Sequence, residues 1–421
     1  MINKQPSCQD IFETGLMSVD EAKARIAALI TPLSVAETCP VGQSRDRVLA
    51  ADITAPFNVP PHDNSAVDGF AILSRDIPQQ GRKKLAISDT LHAGDNRPCQ
   101  LLPGHCIRIM TGAKIPSGAD TVVMQEHVEQ GDDYILIDGQ HKTGDNIRRA
   151  GEDLRSGEII LPRGKCLTPP DIGLLASIGN GEISVKRKLR VAIASTGNEV
   201  FDIGQKPPEN GIFDSNRYSL AAALDSPAIE IINLGIIKDD PEILQRQFQQ
   251  ASEYADVIIS SGGVSVGEAD HTKTALQACG QINFWKLAIK PGRPLAFGRL
   301  NQCLFFGLPG NPVAVMVTFY LFVKPALEQK LGIVLPRLAP TLQVKTLENI
   351  RKKPGRTEIV RGILQQMENG EWQVKTTGKQ GSGILRSMSL ANCFIVLEHE
   401  RGMIKSGEKV TAQPFFGLFS S

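Results

Sequence analysis

Apolar positions change their period several times along this chain, and each change predicts a change of element. Ser18 and Glu21 form a capping box, and Ala22, Ile26 and Leu29 follow at helical spacing, which predicts a first helix. From about residue 70 to 162 the pattern becomes short β runs, at 70–73, 106–110, 121–123, 134–137 and 158–161, parted by glycine and proline turns. Residues 168–178 return to helix, with Pro169 and Pro170 in its first turn. Between 189 and 331 strand and helix alternate, the rhythm of a βαβ sheet. Strands are predicted at 190–194, 229–235, 257–260, 284–289, 295–297 and 304–307, and helices at 217–224, 241–254, 272–278 and 312–331. A proline-bearing linker at 336–340 precedes period-two alternation at 342–344, 358–363, 372–374 and 394–397, with an Asn-Gly turn at 369–370. That last stretch reads as a small β barrel or sandwich.

Composition narrows the class. A chain of 421 residues with 41% hydrophobic and 22% charged content holds several domains with sizeable cores. The net charge of +1 gives no field that favours nucleic acid or acidic membranes. Aromatic content of 5% offers no stacking platform for single strands. The eight cysteines form no C-x-x-C pair and no zinc spacing, which fits a reducing, cytoplasmic setting, and Cys303 reads as core. The polar first twelve residues include Asp10 and predict no secretory signal. The apolar run 313–323 is too short to span a bilayer.

The densest chemistry lies in Ser260-Ser261-Gly262-Gly263-Val264-Ser265-Val266-Gly267-Glu268-Ala269-Asp270, between an apolar strand and a helix. Its glycines (Gly262, Gly263, Gly267) and serines (Ser261 and Ser265 among them) leave backbone N–H groups open to an anion. Glu268 and Asp270 repel an anion, so their presence points to a divalent cation, Mg²⁺, between acid and phosphate. A solvated loop with capping acids would carry the same residues. Pro309-Gly310-Asn311-Pro312 follows a second apolar strand, with Asn311 as N-cap and Pro312 in the first helical turn. Two such turns at strand C-terminal ends lie where open α/β sheets bind ligands. Lys286, Lys290 and Arg293 fall within eight residues around a Pro-Gly-x-Pro turn. An even separation puts Lys286 and Lys290 on one side of a strand, an electropositive floor for an oxyanion.

These blocks carry a resemblance. SSGGVSVGEAD, FWKLAIKPGRP and GLPGNP, in this order, resemble the molybdopterin molybdenumtransferase family, MoeA in bacteria and the E domain of gephyrin in animals. DNSAVDGFA at 63–71, RIMTGA at 108–113, VVMQE at 122–126, NIRRAGED at 146–153, STGNE at 195–199 and FDSNR at 213–217 extend it. The family implies a multidomain α/β plus β fold: a linking domain at 14–56 and 158–188, a β-rich inserted domain at 57–157, a MogA-like α/β molybdopterin-binding domain at 189–337, and a C-terminal β barrel at 338–421. It implies adenylylated molybdopterin and molybdate as substrates, insertion of molybdenum, and Mg²⁺-dependent release of AMP. It also implies a homodimer whose cleft is built from both chains, and possible encounters with a MogA-type adenylyltransferase and with molybdoenzyme maturation factors.

By the same resemblance Asp68, Thr111, Glu199, Asp239, Asp270, Lys286 and Lys290 are the catalytic set, with Glu199 and Asp270 on the metal. Ser261, Gly262, Gly263, Ser265, Gly267, Arg293 and Pro309 to Pro312 bind the pterin substrate. Each acid also has a plainer role: Asp68 suits a tight turn, and Asp239 and Asp240 suit a helix start. Thr111 can donate its hydroxyl to an oxyanion, or only close its turn. Asn198 stands where the family commonly has Asp, which removes a negative charge beside Glu199.

Two other functions compete. A MogA-type adenylyltransferase would resemble only the central segment. A non-catalytic scaffold, as in the receptor anchoring of gephyrin, would bind without turnover. No G-x-G-x-x-G follows a strand and no G-K-[S/T] loop is present, which argues against a nicotinamide dehydrogenase and a P-loop NTPase.

Overall fold

The computed structural model describes residues 15–262, 280–334 and 340–415. They form two compact units. One comprises Asp52–Pro162 and Leu174–Asn180; the other takes the remainder. Among the described residues no helix is long and apolar enough to cross a membrane.

The smaller unit is built on a six-stranded sheet ordered Thr121–Met124, Gly69–Ile72, His105–Ile109, Lys83–Leu91, Tyr134–Ile137, Glu129–Gln130. Both faces are covered. Phe70, Ile72, Leu85 and Val123 pack on one side, and Ala71, Leu91, Ile107 and Val122 on the other. Gly69 has no room for a side chain, because an added Cβ would sit 2.0 Å from the Val123 carbonyl oxygen. The strand Lys83–Leu91 escapes the sequence reading: its two opening lysines and a register shift between Ile87 and Asp89 break the alternation. The run expected at 158–161 appears as Ile159–Leu161, but it pairs with Ile53–Thr54 outside this sheet.

The larger unit opens with helix Val19–Ala28. Ser18 Oγ accepts from the Glu21 N–H at 3.1 Å, half of the expected box, while the Glu21 carboxylate instead accepts from Arg25 at 2.6 Å. Its main sheet is ordered Ile229–Ile237, Leu189–Thr196, Val257–Ser261, Cys303–Leu308, Pro294–Leu300, Gln281–Lys286. The first four strands are parallel and the last two antiparallel. Helix Pro241–Tyr254 covers one face through Leu244, Phe248 and Ala251. The other face packs Val191, Ile259 and Phe306 against Val313, Val317 and Phe322. The helix expected over 312–331 is one rod with a widened middle: Pro312–Thr318 and Lys324–Leu331 are α, and Phe319–Val323 is π. Pro325 lacks an N–H and crowds the preceding turn, which accounts for the widening.

Beyond residue 340 five strands close into a barrel: Thr357–Gln366, Trp372–Thr376, Leu342–Thr346, Lys409–Pro414 and Cys393–Leu397, the last returning to the first. Val344, Val360, Leu364, Val374, Ile395 and Val410 fill it. The Asn-Gly turn at 369–370 joins the hairpin as expected. A short strand from the α/β segment, Ile289–Lys290, adds parallel to the start of Thr357–Gln366. Here the sequence reading needs correction. The single strand expected over 284–289 is two strands, Gln281–Lys286 and Ile289–Lys290, in two different sheets. Lys286 and Lys290 therefore do not share one strand face.

Candidate functional site

Strand register sets out the site in the larger unit. Thr196 pairs with Ile237, Ser195 with Ser261, and Ser261 with Leu308, so four parallel strands end side by side. The antiparallel pair reverses direction, and Ala296 opposite Gly307 and Lys286 opposite Pro294 bring Lys286 and Arg293 to the same end. Read across that end, the order is Asp239, Glu199, Gly262, Pro309-Gly310-Asn311, Arg293, Lys286. Acids lie at one side, glycine turns in the middle, cations at the other.

The acidic side is crowded. Asn198 Oδ1 accepts from the Asp239 N–H at 3.3 Å, which ties the two loops together. The Asp239 carboxyl is pushed up from its ordinary value, first by the protein packed around it and then by the Glu199 charge. Neighbouring Asp240 does what a helix-start acid does: its Oδ1 accepts from the N–H groups of Glu242 and Ile243, both at 3.0 Å. A helix-start role suits both acids by sequence, and the resemblance puts only Asp239 in the catalytic set; the structure gives the cap to Asp240. Two carboxylates in mutual repulsion fit a divalent cation with oxygen ligands. Asp270, the other expected ligand, lies outside the described residues, as do Gly263, Ser265 and Gly267.

In the middle, Ser261 and Gly262 are brought against the Pro309-Gly310 turn. The Gly262 N–H donates to the Leu308 carbonyl at 3.1 Å, and a Cβ on Gly310 would lie 3.8 Å from Gly262 Cα. Ser195 Oγ donates to Asp214 at 2.9 Å and lies 3.0 Å from Ser261 Oγ. Asn311 is the N-cap residue and Pro312 opens the helix, as expected, but the Asn311 side chain makes no cap bond. The Val313 N–H it would have taken goes to the Ser382 carbonyl at 3.1 Å instead.

On the cationic side, Lys290 Nζ pairs with Glu358 at 3.2 Å, and Lys286 is exposed at its strand end. Sequence reasoning missed a further cation, Arg361. It lies on the same barrel strand and is 1% exposed. Its guanidinium donates to Ser387 Oγ at 3.0 Å and to the Gly381 carbonyl at 3.1 Å, and among the described residues no carboxylate pairs with it. Burial pushes it down to about 10. Ile359, two residues earlier and so on the same face, packs outside the barrel interior, which turns Arg361 outward from the barrel to Ser387 and Gly381. A lone arginine inside the apolar run 359–364 was the available signal.

The smaller unit gathers the other blocks. Asn64–Ser65 pairs with Ile147–Arg148, and the Gly112 N–H donates to the Ser65 carbonyl at 2.8 Å. Asp68 Oδ1 accepts from the Thr111 N–H at 2.8 Å and from Thr111 Oγ1 at 2.7 Å. Those two bonds, backbone first, hold the exposed Asp68 carboxyl below its ordinary value, with Arg108 adding to them. The Thr111 hydroxyl expected to face an oxyanion is thus committed to Asp68. Asp63 similarly accepts from Arg149 at 2.7 Å and from the Ala150 N–H at 2.8 Å.

A mixed sheet that sets glycine turns between acids and cations, joined to a closed barrel and a separate β unit, defines a multidomain α/β plus β protein with its acids, glycine turns and cations at one end of the sheet. The chain matches models for the MoeA N-terminal region (domain I and II) over residues 17–179, a probable molybdopterin binding domain over 192–329, and the MoeA C-terminal region (domain IV) over 343–415. It is 40% identical over 402 residues to the molybdopterin molybdenumtransferase of Haemophilus influenzae, covering 95% of this chain and 99% of that one. It is 33% identical over 431 residues to gephyrin of Dictyostelium discoideum, covering 89% of this chain and 59% of gephyrin. The crystal structure of the molybdopterin biosynthesis MoeA protein from Pyrococcus horikoshii superposes with a TM-score of 0.82 at 29% identity, covering 95% of this chain and 100% of that one. The chain belongs to the MoeA family of molybdopterin molybdenumtransferases.

Proposed function

We propose that this chain is a molybdopterin molybdenumtransferase that inserts molybdenum from molybdate into adenylylated molybdopterin, with release of AMP. The insertion of molybdenum during cofactor biosynthesis follows from family membership. The adenylylated substrate and the AMP are the further step. The observation that carries it is the order acid, glycine, cation along one sheet end. A pyrophosphate and a molybdate are both anions, and they repel each other unless opposite charge flanks both.

In this reading the pyrophosphate lies along the Gly262 strand end and the Gly310 turn, where the missing side chains let it approach the backbone; the Gly262 N–H itself is spent on the Leu308 carbonyl. Lys286, Lys290, Arg293 and Arg361 lower the cost of bringing molybdate up to it. Glu199 and Asp239, with Asp270, would hold Mg²⁺, which would neutralise phosphate oxygens and lower the pKa of a water. Water attacks phosphorus, the anhydride bond breaks, AMP leaves, and the molybdopterin phosphate stays behind. The two dithiolene sulfurs then ligate molybdenum, displacing molybdate oxygens that leave as water with the thiol protons, with no change in oxidation state. No described side chain is placed as a covalent nucleophile, so rate comes from positioning and charge. Asp68, braced by Thr111, serves the same chemistry. The four-domain division, a cytoplasmic location, and encounters with an adenylyltransferase and maturation factors belong to the same proposal and rest on the resemblance.

The test is direct. The protein is incubated with adenylylated molybdopterin, molybdate and Mg²⁺, and AMP and molybdenum-bearing cofactor are measured together. Stoichiometric appearance of both supports the reading; binding without turnover overturns it in favour of a scaffold. Homodimerisation rests on the resemblance alone. Co-expression of Asp68→Ala and Asp270→Ala subunits, each inactive by itself, tests whether two chains share a site: recovered activity supports sharing.

A further inference from the structure

One short turn, Asp214 to Arg217, reaches three segments of the sheet end through three different side chains: the Gly310 turn directly, the chain just after Glu199 through Asp202, and the Ser261 strand end through Ser195. Asp214, 4% exposed, accepts from Ser195 Oγ at 2.9 Å, and Ser195 lies 3.0 Å from Ser261 Oγ. This reaches the strand end that leads into the glycine loop. Asn216 Nδ2 donates to the Gly310 carbonyl at 2.8 Å and so fixes the Pro309-Gly310-Asn311 turn. Arg217, 4% exposed, donates to Asp214 at 2.9 Å, to Asn233 at 3.0 Å and to Asp202 at 2.7 Å. Asp202 follows the short strand Val200–Phe201 that begins one residue after Glu199. Tyr218 adds a hydroxyl bond to Asp202 at 2.7 Å.

A buried carboxylate and a buried guanidinium cost free energy to desolvate, and an apolar pair of similar size would often be as stable. Stability alone therefore does not call for them. What the pair supplies is direction, because each bond fixes an angle as well as a distance. We propose that Asp214, Asn216 and Arg217 are positioning residues: a single hub that sets the spacing of the Glu199 loop, the Ser261–Gly262 strand end and the Gly310 turn. Their loss leaves a folded protein with three correctly made but mutually misplaced loops. Displacement on the scale of 1 Å is enough to cost about a hundredfold in turnover. The substrate named here rests on the proposed function; the hub itself does not.

The experiment has two arms. In the first, Asn216→Ala, Asn216→Asp, Ser195→Ala and the Asn216→Ala/Ser195→Ala double variant are assayed for AMP and molybdenum-cofactor formation, alongside thermal melting. Asn216 and Ser195 do not touch, yet both feed one platform. We expect kcat to fall at least roughly tenfold in Asn216→Ala, with KM for the pterin substrate within about threefold and Tm close to wild type. Asn216→Asp should be worse than Asn216→Ala, since a carboxylate would face the Gly310 carbonyl. The double variant should lose less than the product of the single losses. Wild-type kcat in Asn216→Ala, or strictly multiplicative losses, overturns the hub.

The second arm needs no substrate. Amide hydrogen exchange is followed in Asp214→Asn and Arg217→Lys. Faster exchange is expected together in peptides covering 196–202, 257–262 and 308–311, with the barrel peptides unchanged. Acceleration confined to 214–217, or spread evenly over the whole unit, overturns the proposal. If the wild type fails to act on adenylylated molybdopterin, the functional reading falls, and this arm still decides the hub.

Discussion

Gly262 lies so close to Thr196 that a Cβ at this glycine would sit 2.6 Å from the Thr196 carbonyl oxygen and 2.9 Å from Oγ1. Its φ of +89° is left-handed as well. Both requirements exclude a side chain. Gly262→Ala should cost about 1–2 kcal/mol for the backbone conformation alone, before the clash is relieved. Relief must push the two site loops apart, so turnover should fall much further than stability. Chemical denaturation and AMP formation, measured on the same preparation, check the comparison.

Glu199→Gln should raise the Mg²⁺ concentration needed for half-maximal turnover by at least about tenfold, the scale on which metal sites respond to lost supporting groups. Asp239→Asn should shift the same titration in the same direction. Titrating Mg²⁺ against AMP release reads both. Unchanged Mg²⁺ curves in both variants would remove these acids from the metal site.

Lys290→Ala should weaken molybdate use more than pterin binding, and higher molybdate should partly restore activity. Lys286→Ala should do the same to a smaller degree. Because Lys290 is paired with Glu358, whose side chain is 9% exposed, its removal also strands a carboxylate. Glu358→Gln is the control, since it keeps the cation and removes only its counter-charge. If Glu358→Gln mimics Lys290→Ala in molybdate dependence, the effect is structural.

Asp256 supplies a pH test away from the site. It accepts both guanidinium nitrogens of Arg187 at 2.7 Å and the Arg190 N–H at 2.9 Å. Burial alone would raise its pKa, but these bonds outweigh burial and hold it low. A depressed folded pKa means stability that is present above the unfolded aspartate value of about 3.9 and is lost as pH falls through the folded value. Asp256→Asn should therefore cost roughly 2–3 kcal/mol at pH 7. The gap to wild type should start to close only below about pH 4. Urea melts at pH 7, 5, 4 and 3 follow it.

The elements most legible in sequence were those whose pattern is local. Strands at 190–194, 257–260 and 304–307 are built on the apolar runs 191–194, 257–259 and 304–306, and Ser18, Asp240 and the Asn-Gly turn announce themselves through their neighbours. Lys83–Leu91 was hidden because its register shift breaks the period on which strand recognition depends. The site was legible as ingredients but not as an arrangement. That Thr111 is spent on Asp68, or that Lys286 and Lys290 part into separate sheets, depends on contacts far apart in the chain, and spacing alone carries no trace of them. Arg361 was overlooked because it stands among apolar residues, where attention goes to packing.

The loan of Ile289–Lys290 to the barrel has a consequence for how this protein can be cut. The barrel follows a proline-bearing connection that invites truncation, as though it were an accessory. Yet Lys290 takes both its backbone neighbour and its counter-charge from the barrel strand Thr357–Gln366. Removing the last fifth of the chain would bare that short edge and leave the lysine unanchored, even with every residue of the α/β segment retained. The two modules are therefore not interchangeable cassettes, and a chimera would have to carry residues 289–290 and the first turn of the barrel strand as a single transplant.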